Sequence, residues 1–236
     1  MTSSLAQSDT SALPMMTIHD CFNGPYPARV RIALAEKNLL SRIEFVPVNL
    51  WKGEHKKPEF LAINYSGTLP VLELQDGTLI AECTAITQYL DALVGSPDLT
   101  GTTPVEKGRI HMMTKRAEIE FLDAVSTYFH HGTPGLGPEV ELYQNAEWGN
   151  RMRDKAVRGM GYFDSVLKTQ PFVAGESFSM ADIAVFGGMI FASLVELAVP
   201  AECEALLAWH AKMNERPSIQ TWRAMVAAGA PKALKP

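Results

Sequence analysis

Apolar residues fall in short blocks through the first third of the chain and in helix-spaced stripes after it. Residues 15–19 form the first block, a candidate strand. Behind it Val30, Ile32, Ala33, Leu34 and Ala35 follow Pro25 and Pro27. This reads as a helix running to about Asn38, because proline fits the first turn, where a backbone N–H has no helical partner. Residues 44–49, with Phe45, Val46 and Val48, read as a second strand. After a polar connection over 51–64, apolar runs at 71–74 and 79–81 flank Gln75, Asp76, Gly77 and Thr78, and Asp-Gly between such runs signals a hairpin. A helix with Ile86, Leu90 and Leu93 on one stripe closes the region.

A βαβ unit followed by ββα, βαβαββα with a short helical piece in the connection, resembles a thioredoxin-like domain, and the fold class expected is α/β in that half followed by an all-α helical bundle. The pattern predicts helices at about 104–131, 146–168, 179–198, 202–215 and 217–228. Gly132 to Pro138 form a break that no helix crosses. Ser179 and Asp182 read as an N-cap with its acidic partner three residues on. The expected organisation is a disordered tail at 1–14, a thioredoxin-like domain at 15–94, a Gly/Pro/Ser/Thr-rich linker at 95–103, the helical domain at 104–228 and a tail at 229–236.

The balance of 21 Lys plus Arg against 26 Asp plus Glu gives a net charge of −5 and no basic face for a phosphate backbone, which argues against nucleic acid. Cys21, Cys83 and Cys203 are widely spaced and odd in number, fitting a reducing compartment rather than a disulfide framework or a metal site. The first 14 residues lack Lys and Arg and resemble neither a secretion signal nor a transit peptide. The most apolar run, 183–199, falls short of the ~20 residues of a membrane span and contains Gly187, Gly188, Ser193 and Glu196, so a buried helix is expected.

Candidate chemistry begins at Gly24, where the helix dipole and free N–H groups stabilise an anion: a phosphate, a carboxylate or a thiolate. Thioredoxin-like proteins carry Cys-Pro-aromatic-Cys at this turn. Here the sulfur positions are Gly24 and Pro27, which excludes dithiol exchange there. A cis bond at Pro70 would present the Leu69 backbone to whatever occupies the anion loop. Glu82, Cys83 and Thr84 open the next helix, either as a carboxylate site with Glu82 pairing an amino group or as an ordinary cap. His55, Lys56 and Lys57 form a basic patch, solvated surface or the partner of a second carboxylate. Ser126 and His130 lie one turn apart on one helix face, placed to hold a water, although a histidine also simply favours a helix C-terminus. Cys21 reads as a buried thiol rather than a nucleophile.

The motifs at 24–34, 58–61, 69–72, 82–86 and 179–182 together resemble the glutathione transferases, and those at 51–57 and 133–143 resemble a fungal class of that family. The resemblance implies a cytoplasmic homodimer in detoxification, with glutathione as co-substrate, an apolar electrophile as second substrate, and no metal, membrane or nucleic-acid partner. It also implies that Leu69 and a cis Pro70 hold the tripeptide backbone, Glu82 and Cys83 the γ-glutamyl end, and His55 with Lys56 the glycine carboxylate. In most of the family a Tyr, Ser or Cys stands beside the thiol, where this chain has Gly24. By resemblance to the fungal class, a water held by Ser126 and His130 replaces that side chain. The alternatives are a non-catalytic binding or assembly module of the same fold, and a thiol oxidoreductase using Cys21.

Overall fold

The computed structural model describes residues 13–229, so the tails expected at 1–14 and 229–236 lie almost wholly outside the described residues. Strands β1 (Met16–Asp20), β2 (Ile43–Pro47), β3 (Val71–Glu73) and β4 (Leu79–Ala81) form one mixed sheet in the order β2-β1-β3-β4. β1 and β2 are parallel, with Ile18 opposite Phe45, and helix α1 (Pro25–Glu36) is their crossover. β3 runs antiparallel to both β1 and β4. The β3–β4 turn has Gly77 at φ +82°, and the Asp76 carboxylate accepts the Thr78 N–H at 2.9 Å. β2 ends two residues before the 44–49 expectation because the Asn49 N–H turns to the Glu54 carboxylate at 2.7 Å. The one-turn helix α2 (Pro58–Leu61) and α3 (Cys83–Val94) complete a thioredoxin-like βαβαββα unit.

The helical half contains α4 (Pro104–Ala117), α5 (Asp123–Gly132), α6 (Ala146–Leu167), α7 (Met180–Leu194), α8 (Glu204–Asn214) and α9 (Pro217–Ala227). α4 and α5 form one rod, where an unbroken α-helix was expected, but Glu118–Leu122 between them is a π-helical stretch. Neighbouring helices come closest to it through glycines. A Cβ on Gly159 would stand 2.3 Å from the Glu120 carbonyl oxygen, and one on Gly188 would stand 2.5 Å from the Phe121 ring. α7 is buried along almost its whole length, started by a capping box of Ser179 and Asp182. It stops at Leu194, short of the expected 198, because Glu196 turns left-handed at φ +54° and the Leu197 N–H returns to the Ala192 carbonyl. Among the described residues no helix is long and apolar enough to cross a membrane.

α1 is enclosed by the sheet and α3 on one side and by α7 and α9 on the other, so it buries its polar positions as well as its apolar ones. Each buried charge has a partner, as burial demands. Arg31 forks onto Asp20 at 2.7 and 3.0 Å with its guanidinium 3.8 Å from the Phe45 ring centre. Arg29 meets Glu118 at 2.8 Å. At the far end Glu36 takes Arg216 at 2.6 Å, and Lys37 pairs with Asp91. Asp91 also accepts the N–H groups of Leu99 and Thr100, which pins the segment between α3 and α4 to the sheet half. The two halves therefore pack against each other around α1, with a cleft between them.

Candidate functional site

A cavity of about 1060 Å³ opens where the start of α1, the Leu69–Pro70 turn and the start of α3 face α5. Its floor is the first turn of α1. Gly24 is the N-cap, with its N–H on the Cys21 carbonyl at 3.1 Å. Pro25 and Pro27 have no N–H, and the Ala28 N–H is taken by the Gly24 carbonyl at 3.0 Å. The Tyr26 N–H is thus the one donor of that turn left without a protein acceptor among the described residues, fewer than a helix N-terminus normally offers. A Cβ on Gly24 would come 2.9 Å from the Pro27 ring, so glycine permits the close fit of the two. Cys21 also lines the cavity, but it is 5% exposed and burial pushes its thiol pKa up, which leaves it a poor nucleophile.

The start of α3 contrasts with that of α1. Glu82 is its N-cap at φ +68°, a left-handed conformation rare for a non-glycine and the kind of strain that gathers at binding sites. The first helical N–H groups, those of Cys83 and Thr84, have no backbone acceptor among the described residues. Their side chains are otherwise engaged. The Cys83 S–H donates to the Tyr26 carbonyl at 3.4 Å, and burial raises its pKa to about 11. The Thr84 hydroxyl donates to Glu118 at 3.0 Å, and Thr84 is not part of the cavity wall, so it is unavailable as the direct hydroxyl donor expected from sequence.

The Leu69–Pro70 peptide is cis, and the Leu69 N–H and C=O, at the cavity wall, make no backbone bond among the described residues. His55 and Lys56 close that side. His55 is 5% exposed, its Nδ1 has no partner among the described residues, and burial, followed by the Lys56 charge, lowers its pKa to about 4. It is therefore neutral at pH 7.

Ser126 and His130 face the cavity from α5, with Asp123 on the same stripe. The Tyr26 phenol donates to Asp123 at 2.7 Å. Burial and then the Asp123 charge hold Tyr26 well above its ordinary pKa of 10, so it stays protonated. His130 Nδ1 lies 2.6 Å from Glu141. Sequence reasoning missed Asp123, Glu118 and Glu141. The first was findable, since Asp123, Ser126 and His130 follow i, i+3, i+7 spacing.

Residues 23–93 match the family model for the glutathione S-transferase N-terminal domain, and residues 142–225 match that for the glutathione S-transferase C-terminal domain. Glutathione S-transferase 2 of Saccharomyces cerevisiae is 72% identical over 205 residues, covering 87% of this chain and 88% of the yeast protein. The chain belongs to the glutathione S-transferase family. Among solved structures, that of Gtt2 from Saccharomyces cerevisiae superposes with a TM-score of 0.86 at 71% identity, over 87% of this chain and 99% of that one. A glutathione S-transferase domain-containing protein of Marinobacter aquaeolei gives 0.84 at 46% identity, over 86% and 99%. Within this transferase framework, the start of α3 has two N–H groups without a backbone acceptor among the described residues, and the start of α1 has one. Across the cleft from the start of α1 stand Ser126 and His130.

Proposed function

We propose that this chain, a glutathione transferase by family, joins the glutathione thiolate to apolar electrophiles with the help of a water held by Ser126 and His130. Glutathione supplies the nucleophilic sulfur. The chain's own groups match the rest of the tripeptide by type: the α3 N-terminus and Glu82 suit the γ-glutamyl carboxylate and amine, the Leu69 backbone suits the central peptide, and Lys56 with the orphaned His55 Nδ1 suits the glycine carboxylate.

The observation that carries the mechanism is the single free N–H, that of Tyr26, above a Gly24 that has no side chain to offer. A free thiol of pKa about 8.5 is mostly protonated at neutral pH, and one N–H plus the helix dipole is modest help. Tyr26 gives its proton to Asp123, and Ser126, on the same face of α5, has hydroxyl lone pairs to offer the cavity it lines. A water there gives one hydrogen to Ser126 and the other to His130 Nε2, and its own lone pair faces the thiol proton. His130 takes up a proton through the water as the thiol releases one, and the sulfur then bonds to the electrophile.

Conjugation of glutathione to an aromatic halide, followed against pH for the natural chain and the Ser126→Ala, His130→Ala double variant, tests this. Lost turnover with glutathione still bound and a raised thiol pKa is the expected result; undiminished turnover by the double variant overturns it. No turnover by the natural chain would favour the binding-module alternative. Exposed apolar side chains, Tyr65 at 91% and Val105 at 78%, support a homodimer that covers them, measurable by light scattering. The three cysteines, free and well separated, support a cytoplasmic setting, and a role in detoxification follows from the chemistry proposed.

A further inference from the structure

We propose that Glu141 is the positioning residue of His130, a role that rests on the water mechanism above and adds its missing orienting group. His130 closes α5, and the chain then crosses the cavity mouth as an irregular strap, 133–145, before α6. Leu136, Val140, Leu142 and Tyr143 of the strap line the cavity. Glu141 is the one acid of the strap that also lines it. Its carboxylate is 10% exposed and turned inward, and Oε1 lies 2.6 Å from His130 Nδ1 and 2.9 Å from the Leu136 N–H. The strap is shaped around that carboxylate: Gly135 sits at φ +58°, and a Cβ there would come 2.4 Å from Oε1. Gln144 ties the strap back to the end of α5 through the carbonyls of His130 and Thr133, at 2.7 and 2.8 Å.

The chemistry follows from the donor inventory. A carboxylate accepts only, so Nδ1 carries the proton and Nε2, which has no protein partner among the described residues, keeps its lone pair. Nε2 is thereby the acceptor toward the cavity, and the carboxylate stabilises the imidazolium that forms when Nε2 takes a proton. The same division of labour orients the histidine in acid–histidine–nucleophile arrangements.

The experiment is steady-state conjugation to an aromatic halide by the natural chain, Glu141→Ala, Glu141→Gln, His130→Ala, and the Glu141→Ala, His130→Ala pair. Thermal melts and the glutathione KM serve as controls for folding and binding. Glu141→Ala is expected to lower kcat by about tenfold to a hundredfold with the glutathione KM little changed. On the His130→Ala background the same substitution is expected to cost nothing further, because its effect passes through the imidazole. Glu141→Gln keeps acceptors for Leu136 and Nδ1 but not the charge, and is expected to melt like the natural chain while its kcat falls. An equal loss in both backgrounds would mean that Glu141 only holds the strap, and would overturn the proposal. Full activity in Glu141→Ala beside a slow His130→Ala would overturn it and leave the water mechanism standing. Full activity in His130→Ala would remove that mechanism and this role together.

Discussion

Replacing Pro27 by alanine would add a second N–H donor to the first turn of α1, where at present only that of Tyr26 is free. A hydrogen bond to a charged group contributes about 1.5–3 kcal/mol. If the new donor reaches the thiolate and not the thiol, that difference lowers the bound thiol pKa by roughly one to two units, at 1.36 kcal/mol per unit. The protein itself becomes less stable. Pro27 is buried with its ring against Gly24, and losing its restriction of the unfolded chain costs about 0.4–1 kcal/mol, with lost packing on top. A fall of a few degrees in Tm is expected, at ~2–4 °C per kcal/mol for a chain of this size. The assay is a titration of thiolate absorbance in the enzyme–glutathione complex, run beside the pH dependence of kcat/KM. Both curves should move to lower pH. An unmoved thiol pKa, with glutathione bound and helix content intact, would refute the donor count as the reason this site needs help from α5.

Three further outcomes are expected. Because the folded pKa of His55, about 4, lies below the unfolded value, its contribution is complete above pH ~6.5 and is lost as pH falls toward 4; urea unfolding should show the natural chain losing about 2–3 kcal/mol between pH 7 and 4.5 relative to His55→Gln. Glu118→Gln strips the buried Arg29 of its counter-charge, and a urea midpoint shift equivalent to about 3–5 kcal/mol is expected. Gly159→Ala gains ~1 kcal/mol of helix propensity but drives a Cβ to 2.3 Å from the Glu120 carbonyl, so net destabilisation by about 1–3 kcal/mol should appear in the same assay; a stabilised variant would show that α6 can move away.

Much of this architecture is legible in local pattern. The Asp76-Gly77 hairpin, the Ser179 and Asp182 cap and the start of α1 at Pro25 each rest on chemistry contained within a few residues. What stayed hidden is pairing at a distance. Nothing near Thr84 announces that its hydroxyl belongs to Glu118, 34 residues on, and nothing near His130 announces Glu141 beyond the break at Gly132. The donor shortage at α1 is a different lesson. Both prolines are plain in the sequence, and they mark the helix start while also deleting the N–H groups that would make it a generous anion site. The π-helical stretch is silent for a third reason: Phe121, Leu122, Ala124 and Val125 are apolar in an order that α or π winding satisfies equally well.

That wider turn at Glu118–Leu122 also bears on where the cavity-lining face of α5 points. Because a π-turn holds about one residue more than an α-turn, removing one residue from the stretch would let α4 run regularly into α5 while leaving Asp123, Ser126 and His130 close to their present azimuth. The stripe would keep both its internal spacing and its place on the cavity wall. A second deletion, with no wide turn left to absorb it, would swing the stripe by about 100° out of the cavity, so the length of this segment, more than the identity of its residues, acts as the index mark that aligns one half of the molecule with the other.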